Sequence, residues 1–186
     1  MPYSKKIARR QIRLIRPVDS RMLTSDSETR HRNTPMTDSE FTVTQVAEQA
    51  ALELVGKDLF FPNGLLGFPD DRRYRLSRFN TGASGESPFF ILESMDHELS
   101  FPVIHPDLVA LDYRVPVSPE ILASLDATTA ADLVLFLIVT VRERVEDITI
   151  NLQGPLIVNS ASLIGIQFVI EEYPVRYALI RADSTK

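Results

Sequence analysis

The sequence predicts an all-β antiparallel domain, barrel-like or a strongly bent sandwich, with one or two short helices. Three observations carry this. Strand-sized apolar runs recur from residue 41 onward, separated by Gly, Pro, Asn and Asp. One of them, "LVLFLIVTVRE" from Leu133, is too continuously apolar for a half-exposed strand, which places it at the centre of the sheet with both faces covered. A single stretch, "SPEILASLDAT", has helix punctuation: Ser118 as N-cap, Pro119 at the first helical position and Glu120 in the first turn.

In chain order, "FTVTQ" from Phe41 alternates as a strand, and "ALELV" (Ala51 to Val55) does so weakly, ending at Gly56. "YRLSRFN" sets Tyr74, Leu76 and Phe79 against polar neighbours. "PFFILES" and "SFPVI" flank "MDHEL", a connection of hairpin length. "GASGES" (Gly82 to Ser87) is a flexible hairpin loop. After the central strand come "DITINL", "PLIVN", "LIGIQFVI" and "RYALI", each closed by a turn-like separator. Within them Asn151, Asn159 and Gln167 are conspicuous amides in otherwise apolar surroundings. At strand ends such amides satisfy backbone groups; at a sheet edge they pair with a partner.

The 186 residues divide into a basic extension over 1–40, a β domain over 41–182 and a short tail over 183–186. Residues 1–33 hold nine Lys/Arg and three acids, a net +6; with 20 basic and 25 acidic residues in the whole chain, residues 34–186 carry −11. The extension is expected to be a disordered tail, or sequence upstream of a start at Met22 or Met36, because high charge and low hydrophobicity do not offset ordering entropy. It lacks the apolar core of a secretory signal. "KKIARRQIRLIR" has the alternative reading of a basic amphipathic helix for a membrane surface or RNA. No apolar run approaches the roughly 20 residues of a membrane-spanning helix. Cysteine is absent, which removes thiolate nucleophiles and thiolate metal ligands and suits a reducing cytoplasm.

Residues able to do chemistry are sparse. His31 lies in the extension, His97 sits between Asp96 and Glu98 in a solvated turn, and His105 stands in "HPD" without a third metal ligand nearby. "GASGES" lacks the Lys and the following helix of a phosphate loop. The carboxylate pairs Asp70/Asp71, Glu143/Glu146 and Glu171/Glu172 read as solvated turns. No catalytic residue, metal site or cofactor is assigned. A binding protein is the expectation.

Four segments, in order, form a recognisable set. "PNGLLGFPDDRRYRL" resembles the Gly-Leu-Pro-Gly-Phe segment of the flagellar assembly factor FliW family, with Leu66 in the place of the usual Pro. "PFFILESMDHELSFPVIHP" is similar to that family's next block, a Pro-Phe start and a Phe-x-Val strand ending at Pro. "NLQGPLIVN" resembles its Asn-Leu-x-Ala-Pro-x-x-x-Asn signature with Gly154 for Ala, and "YPVRYAL" its closing Tyr-x-x-Arg-x-x-Leu. The likeness spans roughly residues 41–181.

The resemblance implies a small, cytoplasmic, non-catalytic protein, monomeric when free, that binds flagellin. It also implies binding of the RNA-binding translational regulator CsrA, so that flagellin export releases the protein to relieve repression of flagellin translation. Both equilibria are then linked. Separately, a body at −11 complements a basic regulator and disfavours direct contact with RNA. The expected partner-binding residues are Asn63, Leu65, Leu66 and Phe68 in the Gly-rich loop, Glu93, Asp96 and Glu98 in the acidic connection, and Asn151, Gln153 and Asn159. The competing reading is an OB-like nucleic-acid-binding barrel that uses its basic extension, though its strands lack interleaved basic and aromatic residues.

Overall fold

The computed structural model describes residues 49–79, 87–109 and 113–179. The basic extension, the "FTVTQ" segment, most of the "GASGES" loop and the C-terminal tail lie outside them.

The first described element is helical, not extended: α1 is seen over residues 49–53. Ala51 and Leu54, three apart, are both fully buried while Glu53 is exposed. A strand would have put Ala51 and Glu53 on one face, burying the carboxylate beside the core. Ala, Leu, Glu and Gln are also strong helix formers, so burial and propensity agree against the weak alternation. Gly56, at φ +82, ends this segment and donates its N–H to the Leu76 carbonyl at 2.8 Å.

Nine strands follow among the described residues. β1 (Asp58–Phe60), β2 (Arg73–Arg78), β3 (Phe89–Ser94) and β4 (Ser100–Ile104) form an antiparallel meander. β4 pairs with β5 (Leu133–Thr140), the predicted central strand, in which no residue is exposed. On its other edge β5 has two partners in succession. Its end, Val139–Thr140, pairs with β6 (Thr149–Ile150), and Leu133–Phe136 pairs with β7 (Leu156–Asn159). Residues 151–155 bulge out between them. β8 (Gly165–Gln167) continues from β7, and β9 (Tyr177–Ala178) lies on β6. The sheet therefore forks at β5 and bends strongly without closing. It is a mostly antiparallel bent sheet, as predicted, with α1 and α2 (Pro119–Ser124) as its α-helices among the described residues.

The bend encloses the main core: Leu59, Phe61, Tyr74, Leu76, Phe90 and Leu92 face Val134, Phe136, Leu156 and Val158. Each fully buried large side chain contributes roughly 1.5–3 kcal/mol relative to exposure. A second cluster, with Phe89, Leu137, Val139 and Ile150, covers the other face, which is why β3 buries both Phe89 and Phe90. α2 lies over a third cluster through Ile121 and Leu125. Its N-terminus is as the sequence indicates, with Ser118 Oγ accepting the Ile121 N–H at 3.4 Å and Pro119 in the first turn. The helix stops at Ser124, and Asp126 turns left-handed at φ 52.

Candidate functional site

The connection between β1 and β2 is the segment with the most unusual backbone. Phe68 N–H donates to the Leu65 carbonyl at 2.7 Å and Leu65 N–H to the Phe68 carbonyl at 3.2 Å, closing a two-residue turn with Leu66 and Gly67 at its corner. Gly67 has φ +85, the left-handed value a type II turn requires at its third position. Gly64 is required for a second reason: a Cβ there would lie 2.3 Å from the Phe68 carbonyl oxygen.

This turn leaves Leu66 62% exposed and Phe68 37% exposed. The Phe68 ring packs edge-on against Phe101 with centroids 5.3 Å apart, so it is part support and part surface. Leu65 differs from the expectation. At 2% exposure it belongs to the main core, because the turn's hydrogen bonds point its side chain inward beside Phe61, and it is not a surface anchor.

Opposite the turn stands β8. Gln167 Oε1 accepts the Leu66 N–H at 2.8 Å, and its Nε2 donates to the Gly154 carbonyl at 3.2 Å. Asn151 Oδ1 accepts the Gly154 N–H at 3.0 Å. These amides hold the bulge at 151–155, where β5 exchanges one partner strand for another; the Ile170 N–H donates to the Gln153 carbonyl from the far side at 2.8 Å. A Cβ at Gly154 would sit 2.8 Å from Gln167 Nε2, so a side chain there requires the Gln167 amide to shift. Between turn and strand lies a cleft of about 410 Å³, lined by Asn63, Gly64, Leu65, Leu66, Gly67, Pro69, Gly165, Ile166 and Gln167, none of them charged.

Asn159 is the second correction. It is 1% exposed, its Nδ2 donates to the Leu125 and Asp126 carbonyls at 2.9 Å each, and its Oδ1 accepts the Ala161 N–H at 2.9 Å. Those carbonyls at the end of α2 have lost their helical partners, and the amide supplies replacements. It is an internal staple.

The acidic connection between β3 and β4 is bonded to the second half of the same β1–β2 segment. Asp96 accepts the Arg72 and Arg73 backbone N–H groups and pairs with the Arg73 guanidinium at 2.6 Å. The Arg73 side chain, followed by its backbone N–H, holds the Asp96 carboxyl below its ordinary value. Asp96 is thus spent on the fold. Glu98 is exposed, and Glu93 sits half-buried on β3 opposite Arg75 and Ser100.

His97 does not join Asp96 and Glu98. Its Nδ1 lies 3.0 Å from the buried Asp71 carboxylate, which also accepts a hydrogen bond from the Ser94 hydroxyl. Ser94 Oγ in turn accepts the Asp96 and His97 N–H groups at 3.1 Å. Ser, Asp and His are close together, but the His97 ring and the Ser94 hydroxyl both face Asp71, so the imidazole does not address the hydroxyl as the Ser-His-Asp arrangement needs. Tyr74 Oη is buried beside this group with no hydrogen-bond partner; burial, then the charges of Asp71 and Asp96, push its ionisation well up. Among the described residues, no three His, Asp or Glu side chains are gathered to hold a metal ion, and no helix is long and apolar enough to cross a membrane.

The cleft joins the Gly-rich loop to Gln167, Gly165 and Ile166, three residues that are not among the expected partner-binding set. The available signal was Gln167, a long amide inside an apolar strand.

Comparison with known proteins places the chain in a family. The family model described as "FliW protein" matches residues 36–179. The chain is similar to the flagellar assembly factor FliW of Natranaerobius thermophilus, at 34% identity over 70% of this chain and 86% of that one. It is also similar to that of Leptospira biflexa, at 37% identity over 67% and 81% respectively. A crystal structure of the flagellar assembly factor FliW superposes with a TM-score of 0.61 at 27% identity, covering 68% of this chain and 87% of that chain.

Proposed function

The chain belongs to the FliW family, and from that premise we propose that it is a non-catalytic flagellar assembly factor acting by partner exchange in the cytoplasm. In this reading a monomer binds flagellin, and once flagellin is exported the freed protein binds a CsrA-type translational regulator and relieves repression of flagellin synthesis. The observation that carries it is the family match over residues 36–179, which takes in all four motif segments. The separation of surfaces supports it. An uncharged cleft with exposed Leu66 beside it suits an apolar partner segment, whereas Glu98 lies on the acidic turn between β3 and β4. A body at −11 favours rapid encounter with a basic regulator.

The test is a titration of purified flagellin into the preformed complex with the regulator. Release of the regulator is expected, and regulator binding is expected to weaken with salt more than flagellin binding does. Glu98→Lys should weaken the regulator complex selectively. A stable ternary complex with unchanged affinities would overturn partner exchange.

A further inference from the structure

The bent sheet has a seam. Phe60 N–H donates to the Leu163 carbonyl at 2.9 Å, drawing the end of β1 to the turn before β8 in a single parallel bridge, Phe60 to Ile164. Beyond that bridge the two chains part. β1 runs on into the Gly-rich loop, and among the described residues β8 pairs with β7 alone. The cleft of about 410 Å³ is the gap left between them.

The ladder fixes which backbone groups face this gap. Phe168 N–H bonds the Pro155 carbonyl and Asn159 N–H bonds the Ile164 carbonyl, both at 2.9 Å. By the alternation of an antiparallel pair, the rung between Ile157 and Ile166 is also hydrogen-bonded, and the N–H and C=O of Gln167 turn the other way, toward the cleft. An open strand edge is a template for another chain. The gap is lined by Leu65, Leu66, Pro69 and Ile166 and carries no charge, so it offers backbone hydrogen bonds and apolar walls together. Gly165 keeps the floor low, because a Cβ there would meet the Phe61 ring at 2.5 Å.

We propose that the open edge of β8 at Gln167 receives an extended, uncharged segment of flagellin as an added strand, with an apolar side chain seated against Leu66. The occupant is a polypeptide because only a backbone supplies donors and acceptors at strand spacing, and it is apolar because nothing lining the gap would pair a charge. Gln167 is suited to both duties. Its side chain fixes the loop wall at Leu66 while its backbone faces the incoming strand.

The inference rests on the flagellin-binding reading, and its test separates the two. Amide hydrogen exchange is measured on the full chain with and without purified flagellin. Binding should slow exchange of the Gln167 N–H by about tenfold or more and leave Ile166, already in the ladder, little changed. Leu66→Asp, at an exposed position, should weaken flagellin binding by about tenfold with an unchanged melting temperature. If flagellin binds but protection falls elsewhere and Leu66→Asp binds normally, the added strand is wrong and the flagellin reading stands. If flagellin fails to bind the unmodified protein, both fall. Protection of Gln167 that grows with protein concentration alone would assign the edge to a second copy of this chain.

Discussion

Gln167 and Leu66 are joined across 101 residues of sequence by one hydrogen bond, the Leu66 N–H donating to the Gln167 side-chain carbonyl at 2.8 Å. The same amide donates to the Gly154 carbonyl at 3.2 Å. One side chain thus ties the β1–β2 loop, β8 and the bulge that splits the partners of β5. Loop position and sheet bend are set together.

Gln167→Ala should therefore cost about 1–3 kcal/mol, since it leaves two backbone groups without a partner in a half-buried setting. Chemical denaturation measures it. A cost near zero would show that water replaces the amide freely and that the loop is held by Leu65 and Phe68 alone.

Asn159→Ala should cost about as much or more, because the carbonyls of Leu125 and Asp126 lose their donor inside the fold. Asn159→Asp is the sharper variant. It keeps size and acceptor but substitutes a carboxylate facing two carbonyls, so its destabilisation should grow as pH rises through the acid's titration. Equal stability of the two variants across that range would contradict the assigned orientation of the amide.

How far the sequence disclosed these features follows from the range of the interactions. Local or strongly patterned elements were legible: the Ser118–Pro119 helix start, the β3–β4 hairpin, and the continuously apolar β5. α1 departs from its expected strand because Ala51 to Val55 fits both periods, and Leu54 reaches a core built by later strands. The backbone-satisfying reading of Asn159 holds, but its partners at the end of α2 are distant in sequence, and the burial of Leu65 beside Phe61 is set by a turn geometry that composition does not specify. Gln167 was noticed as an anomaly, yet its role needed the loop 101 residues away.

A pH dependence is expected from His105. Burial holds its imidazole below the ordinary 6.5, with the Asp107 carboxylate opposing the shift. Its Nδ1 accepts the Asp107 N–H at 3.2 Å, which requires that nitrogen to be unprotonated. The folded state thus binds the proton less readily than the unfolded chain. Its stability is complete above 6.5 and declines as pH falls from there toward the depressed folded value. His105→Asn keeps an acceptor without a titrating proton. Comparing denaturation midpoints at about pH 7.5 and about pH 5.5, the variant should lose less stability on acidification than the parent. An equal loss would assign the effect to carboxylates.

The two loop glycines should respond unequally to alanine. Gly67→Ala meets no atom within 4 Å and incurs only the strain of φ +85, roughly 1–2 kcal/mol. Gly64→Ala adds a backbone collision at 2.3 Å with the Phe68 carbonyl, which the turn itself holds in place. Its cost should be clearly larger, and Phe68 should shift off Phe101. Equal melting temperatures for the two variants would refute this account of the turn.

Leu66→Pro tests the turn and the Gln167 bond at once. Leu66 is the second residue of a turn whose third, Gly67, is left-handed, and Pro is favoured at that second position because its ring presets φ. Restricting the unfolded chain this way is worth about 0.4–1 kcal/mol. Proline has no N–H, however, so the donation to Gln167 Oε1 is lost, at a cost of about 0.5–1.5 kcal/mol. In the parent the two effects nearly cancel. In the Gln167→Ala background the bond is already gone, so Leu66→Pro should there stabilise by its full entropic amount. The four proteins form a cycle with an expected coupling of about 1 kcal/mol between positions 66 and 167. A Leu66→Pro effect that is the same in both backgrounds would mean that this N–H does not hold Gln167 in solution, and the loop wall of the cleft would have to be fixed by other contacts.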